Sequence, residues 1–305
     1  MKFGFCPGHL NLAGNGGRDS MAGLIELARL AQERGFDGIW LAEEDFAAAG
    51  KGASALVAAA AVAVSTSAIR IGVICPLGLS HPIYTAEDMA VLDHLSAGRL
   101  IAAVRPPSAG DGGSAYGISG QEAGERFAEA LEVCLRAWAP APFRFQGKHF
   151  RIPANPSQNE HAASMTHISV TPKPAQPALP VWVVAVDDET VRTAARFGLP
   201  IIGAAGDSLE GARSKFELYR SLLGYEPVGR SAALLRDIDV TDIEAVIQQT
   251  ERCRDELGVH YLVCRIGRPG ASVEEVAQAL RLLGHCLIPE FRMFGYPKEL
   301  RSVSL

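Results

Sequence analysis

Residues Val183 to Thr190, VVAVDDET, run an apolar segment straight into three consecutive carboxylates. A strand that turns into a helix start is a common seat for a cofactor phosphate, because first-turn amides and the helix dipole favour an anion. Asp187, Asp188 and Glu189 oppose that use. Asp187 or Asp188 is suited to be the N-cap, and Glu189 suits the first turn. A unit charge pair about 5 Å apart, at an effective dielectric of about 20, interacts by roughly 3 kcal/mol. A phosphate of charge about −1.5 to −2 beside one such carboxylate is therefore repelled by several kcal/mol before screening. Arg105, in AAVRPPSAGDGG (Ala102 to Gly113), offers one compensating charge, and it can equally pair with Glu43, Asp187 or Asp188. Pro106 and Pro107 remove two backbone donors next to it. The 6 cysteines include no CxxC spacing, so zinc or dithiol chemistry is not indicated. Cys134, Cys253 and Cys286 fall in helical patterns as small hydrophobes. Cys75 follows an apolar strand with no assignable base beside it.

The elements that position these residues alternate regularly. Strand candidates are Lys2 to Cys6, Phe36 to Ala42, Ile69 to Ile74, Leu100 to Val104, Pro180 to Val186, Leu199 to Gly203, Ala232 to Arg236 and His260 to Ile266. Helical spacing of apolar residues follows each: Ser20 to Arg34, Ala53 to Val64, Ile83 to Leu95, Gln121 to Trp138, Glu189 to Phe197, Leu209 to Leu223, Ile243 to Leu257 and Ser272 to Leu283. FRFQGKHFRI (Phe143 to Ile152) alternates around Gln146-Gly147 as a hairpin would. Residues 153 to 180, rich in Pro, Ser, Asn and His, read as a long excursion. Eight βα units imply a single (β/α)8 TIM barrel of the α/β class, with an insertion at about 143–178 after the fourth helix, and one domain over residues 1–305. An open doubly wound sheet would want a glycine-rich turn after the first strand. GNGG (Gly14 to Gly17) comes late for it and lacks the GxGxxG spacing. Hydrophobic residues make up 48% of the 305, ample for one large core. The net charge of −5 is interspersed, without a basic stripe, which argues against nucleic acid and membrane partners. MKFGFCPGHL lacks the apolar run of a signal peptide, so a reduced cytoplasmic location is expected.

In such a barrel the active site lies at the C-terminal ends of the strands. That rule selects Cys6 to His9, Glu43 to Phe46, Val73 to Pro76, Arg105 to Ser108, Asp187 to Thr190 and Arg265 to Pro269.

LARLAQERGFDGIWLAEEDF (Leu27 to Phe46) resembles a signature of the bacterial luciferase-like family, which comprises flavin-dependent monooxygenases and deazaflavin-dependent oxidoreductases. IRIGVICPLGLSHPIYTAEDMAVLDHLSAGRL (Ile69 to Leu100), ERFAEALEVCLRAWAPAPFRFQGKHFRI (Glu125 to Ile152), PALPVWV (Pro177 to Val183) and ELGVHYLVCRIGRPGASVEEVAQALRLLGHCLIPEFR (Glu256 to Arg292) are similar to further family segments in the same order. The resemblance implies a (β/α)8 barrel with FMN, another flavin or a deazaflavin across its mouth, and a small-molecule substrate. It implies that Val73 and Ile74 back the flavin ring, where the family often has a strained peptide. The family commonly has Glu-His-His-Phe where Glu43-Glu44-Asp45-Phe46 stands here, so Glu44 becomes the catalytic acid/base candidate in place of a histidine, with Glu43 beside the cofactor. Arg105 falls about one position from a phosphate-binding arginine. Ala185, Asp187 and Asp188 occupy the place of a glycine-rich phosphate turn, and both glycines are absent. His81 reads as a packed helix start. His149, His161 and His167 lie in or near the covering excursion, and Cys6 and His9 near a pocket wall. Gly224 to Thr241 is shorter than the family pattern for a full seventh strand. The family also implies a homodimer, or a heterodimer with a paralogue, through the second and third helices. The alanine-rich Ala53 to Val64, apolar nearly all round, agrees with that. A non-catalytic barrel that has lost ordinary FMN binding is the alternative reading.

Overall fold

The computed structural model describes residues 1–8, 18–43, 54–108, 116–154, 166–224, 232–268 and 270–292. Its elements, in chain order, are β1 (Lys2–Pro7), α1 (Arg18–Glu33), β2 (Gly38–Ala42), α2 (Ala55–Ser65), β3 (Arg70–Pro76), α3 (Pro82–Leu95), β4 (Leu100–Arg105), α4 (Gly120–Trp138), β5 (Phe145–Gln146), β6 (Arg151–Ile152), β7 (Val181–Ala185), α5 (Asp188–Phe197), β8 (Ile201–Gly203), α6 (Leu209–Leu223), β9 (Ala232–Asp237), α7 (Ile243–Leu257), β10 (Val259–Ile266) and α8 (Val273–Arg292). Strands β1 to β4 and β7 to β10 form a closed barrel in the order β1, β10, β9, β8, β7, β4, β3, β2, with every neighbouring pair parallel. The eight-unit (β/α)8 expectation therefore holds.

Side chains on a strand alternate between two faces. Outward residues such as Phe3, Phe5, Ile71, Val73, Val183 and Ala185 form the larger core under the helices. Inward residues form a second core inside the barrel, including Cys6, Trp40, Ile74, Ala103, Val184, Leu235 and Val263. Trp40, Trp182 and Tyr261 pack there with ring centroids 5.6 to 5.8 Å apart. Trp40 Nε1 donates to the Tyr261 hydroxyl at 3.0 Å, and burial pushes that phenol up. Trp40 fits because the strands around it carry glycine. A Cβ on Gly4 would lie 2.6 Å from the indole, one on Gly38 2.5 Å from the Tyr261 hydroxyl, and one on Gly72 would overlap the indole.

The opposite end of the barrel is fastened by Arg99, whose guanidinium donates five hydrogen bonds. Their acceptors are the carbonyls of Ala63, Thr66, Ile69 and Ser96 and the Thr66 hydroxyl. Asp93, fully buried, accepts from the backbone and side-chain amides of Gln176, which pins the returning end of the excursion to α3.

Three features differ from the sequence expectation. The stretch thought too short for a seventh strand holds β9, six residues long, which pairs with β10 along its length and with β8 at two positions. The hairpin turn spans Gly147 to Phe150 rather than Gln146-Gly147, and Gly147 N donates to Phe150 O at 2.9 Å. Helix α8 continues past Leu283 through Pro289 to Arg292 because Leu287, Ile288 and Phe291 are buried, and this packing outweighs the proline. Among the described residues no helix is long and apolar enough to cross a membrane.

Candidate active site

At the C-terminal mouth the inward alternation of β4 (Ile101, Ala103) continues to Arg105, that of β9 (Ala233, Leu235) to Asp237, and that of β10 (Tyr261, Val263) to Arg265. Strands β4 and β10 lie half a barrel apart, so the two guanidiniums face the mouth from opposite sides. Arg265 grips Asp237 with two parallel bonds of 2.6 and 2.8 Å. Arg105 reaches across β3 and donates from Nη2 to the Glu43 carbonyl at 2.9 Å, and from Nη1 to Pro106 O at 3.3 Å. It thus ties the end of β4 to the end of β2, where Glu43 N also donates to Ile74 O at 3.0 Å.

Cys75 lies against this junction, 4% exposed, its thiol donating to the Pro76 carbonyl at 3.7 Å, with the Glu43 carboxylate close by. Burial, then the neighbouring Glu43 carboxylate, push the thiol well above its ordinary value. It is a proton-holding donor rather than a thiolate nucleophile. Sequence reasoning assigned Cys75 no partner because Glu43 is 32 positions away and only strand pairing joins them.

The β7–α5 junction takes the closed form. Asp187 is the N-cap. Its Oδ1 accepts from Thr190 N at 2.8 Å, and the Thr190 hydroxyl oxygen accepts from Asp187 N at 3.1 Å, completing a capping box. Asp188 and Glu189 are exposed in the first turn. Lys215, from α6, donates to the carbonyls of Ala185 (2.8 Å) and Val186 (2.9 Å) and to both Asp207 carboxylate oxygens. Arg236 donates to Asp207 O from the neighbouring β9. Lys215 and Asp207 gave no sequence signal, since a lysine and an aspartate on a helix and its leading loop ordinarily face water.

The structure brings Glu43, Ile74 and Arg105 to one side of the mouth and Asp187 and Asp188 to the adjoining rim. Ile74 faces inward and is 4% exposed. Val73 and Ala185 point the other way, into the core under the helices, so only their main chains face the site. The Val73–Ile74 peptide belongs to regular strand pairing with β2 and β4. The cis bonds among the described residues precede Pro153 and Pro172 instead. Glu44, with Asp45, Phe46, His9 and His161, lies outside the described residues. His81 caps α3, its Nδ1 accepting from Ile83 N at 3.4 Å before Pro82, and packs on Phe150 at 5.8 Å. His149 belongs to the hairpin anchor, with Nε2 2.9 Å from Glu125. Among the described residues no group of three or more His, Cys, Asp or Glu is placed to hold a metal ion.

The profile of the luciferase-like monooxygenase family matches residues 1–247. The chain belongs to the luciferase-like monooxygenase family. Among luciferase-like relatives it is 26% identical over 253 residues to the alkanal monooxygenase alpha chain of Photorhabdus luminescens, covering 79% of this chain and 64% of that one. It superposes, with a TM-score of 0.75 and 16% identity, on the oxygenating constituent of 3,6-diketocamphane monooxygenase from Pseudomonas putida in complex with FMN, covering 95% and 98% of the two chains. An F420-dependent secondary alcohol dehydrogenase in complex with an F420-acetone adduct gives 0.72 and 16%, covering 94% and 98%. These two likenesses are of fold. The chain spans about half to two thirds of the length of the curated relatives it matches.

Proposed function

We propose that this protein is an oxidoreductase that binds a flavin or deazaflavin across the barrel mouth and acts on a small organic substrate. The observation that carries the reading is the junction of β2, β3 and β4, where a family-matched barrel sets inward Ile74 beside an arginine fixed by the Glu43 carbonyl. FMN in the Pseudomonas structure and F420 in the dehydrogenase are the two cofactor types considered. Such a cofactor supplies the redox chemistry. The chain excludes water with Ile74 and Ala42, presents a cation at Arg105, and keeps the protonated Cys75 thiol beside Glu43. Glu44 is the acid/base residue in this reading, and Val73, Ala185, Asp187 and Asp188 complete the surroundings.

The phosphate end fits less well. The Thr190 amide that would serve an anion after β7 is already taken by Asp187, and two further carboxylates follow. The Lys215 charge beside it is matched by Asp207. A bound cofactor would place its phosphate away from this turn, and riboflavin would avoid the conflict. The same observation favours a second reading, a barrel that binds no flavin and serves as the partner subunit of an active paralogue.

The whole chain acts in this reading as one domain in a reduced, cytoplasmic setting, in keeping with six free cysteines. Pairing with a like or paralogous subunit would cover Val57 and Val64 of α2 and Tyr84, Val91 and Leu95 of α3, all exposed apolar side chains.

The test is direct. Fluorescence titration with FMN, riboflavin and F420 is expected to show stoichiometric, micromolar binding of at least one, with riboflavin no weaker than FMN. If none binds, the oxidoreductase reading fails and the non-catalytic one stands.

A further inference from the structure

A cavity of about 720 Å³ opens between the loop after β9, the loop after β10 and the first turns of α8. It lies half a barrel from the β2–β4 side, where the cofactor ring is proposed. Its size falls within the roughly 300–1,000 Å³ usual for small-molecule sites. Its inner wall is aliphatic, with Ile238 and Val240 on one loop, Ala271 on the other, and Val276, Ala279 and Leu282 on α8, while its rim is polar and charged.

The charged groups around it are matched within the protein. Asp237 holds the Arg265 guanidinium through both oxygens. Asp239 accepts from the Thr241 amide at 3.1 Å and its hydroxyl at 2.8 Å, and these bonds keep it below the usual carboxylate range. Glu275 accepts from the Ser272 amide at 2.8 Å and hydroxyl at 2.9 Å, and from Arg268 at 3.2 Å. These bonds likewise hold it low, the Ser272 amide contributing most. Three carboxylates and two guanidiniums leave the rim close to balance. An anionic ligand would meet the three carboxylates, and a cationic one would meet Arg265 and Arg268. Either would have to disrupt an existing pair or bury its own charge against a like one. An uncharged apolar molecule meets neither obstacle and gains by covering the aliphatic wall.

We propose that this cavity is a second small-molecule site that takes an uncharged, predominantly apolar compound carrying at most a hydroxyl or carbonyl. It needs no cofactor, so it stands whether or not the flavin reading does.

The experiment is titration of the full chain, without added cofactor, with 1-octanol, octanoate and octylamine by ligand-observed NMR. Octanol is expected to bind at least about tenfold more tightly than either charged analogue. Two variants localise the binding. Leu282→Trp fills the cavity from α8, and Val240→Asp puts a charge on the opposite loop. Each is expected to weaken octanol binding about tenfold or more while circular dichroism and the FMN or riboflavin titration stay as in the parent. Equal binding of octanoate or octylamine would overturn the ligand class. Octanol binding unchanged in both folded variants, or absent from the parent, would overturn the site.

Discussion

Asp187 does two things at once: it completes the helix it begins and removes the amide a phosphate would use. Replacing it tests both. Asp187→Gly with Asp188→Ser is expected to tighten FMN binding while costing only a few tenths of a kcal/mol of stability, since glycine is itself a tolerated N-cap, read by fluorescence titration and urea melts. Unchanged FMN affinity would place the phosphate elsewhere. His81 makes a second prediction. Burial holds its imidazole below the ordinary value of 6.5, and its Nδ1 must be unprotonated to accept from Ile83 N. A depressed folded value means the unfolded chain binds more protons in that window. The contribution is thus complete above about pH 6.5 and lost as pH falls through the lower, folded value. His81→Asn, which caps without titrating, should flatten that part of the stability profile, and an unaltered pH slope would remove His81 from it. The capping role of Asp187 was legible in the sequence because an N-cap is a local device read over four residues. Lys215 on the β7 carbonyls and Cys75 on Glu43 were not, because their partners are set by tertiary contacts between distant segments.

The inserted hairpin of β5 and β6 has little of its own to hold it, with two residues per strand. Its stability comes from α4. The Glu129 carboxylate accepts from the backbone amides of Lys148 (2.7 Å), His149 (2.9 Å) and Phe150 (3.1 Å), so one side chain satisfies the whole turn. Glu125 adds bonds to His149 and the Lys148 ammonium. Glu129→Ala should therefore cost about 2–4 kcal/mol, since three turn amides lose a charged acceptor. Hydrogen exchange should accelerate at 148–150 while amides of the barrel strands keep their protection. Uniform acceleration would instead show the hairpin and barrel unfolding together. The hairpin was visible as an alternating pattern, but the turn lay one to three residues further along, because Glu129 rather than Gln146-Gly147 sets it. The end of α8 was misjudged for a related reason. The expected helix ended at Leu283, whereas Gly284 admits close approach of Arg34 (an added Cβ would lie 2.7 Å from the Arg34 Cβ) and the residues around Pro289 are buried.

At the scale of the whole molecule, eight apolar segments alternating with eight amphipathic ones were enough to anticipate the closed barrel. The composition of the mouth was only partly anticipated, since which residues meet there depends on register. The outer surface carries one more expectation. Val57 (72% exposed), Val64 (67%) and Tyr84 (67%) stand on neighbouring helices α2 and α3. Sedimentation is expected to give a dimer at micromolar concentration, and Val64→Lys with Tyr84→Lys to give a folded monomer. A parent that sediments as a monomer would refute the pairing, for these patches gain little by remaining open to water. The barrel interior constrains change in another way. Trp40 occupies space left by Gly4 and Gly72 on the strands either side of its own, so the three positions are one unit of mutation. Gly72→Ala alone should cost about 1–3 kcal/mol through crowding, and Trp40→Leu alone about 3 kcal/mol through the void it leaves. The pair should cost less than their sum. Neutral drift through this interior therefore has a direction: the indole must shrink before Gly4 or Gly72 can gain a side chain, and a lineage that has taken that step loses an easy route back.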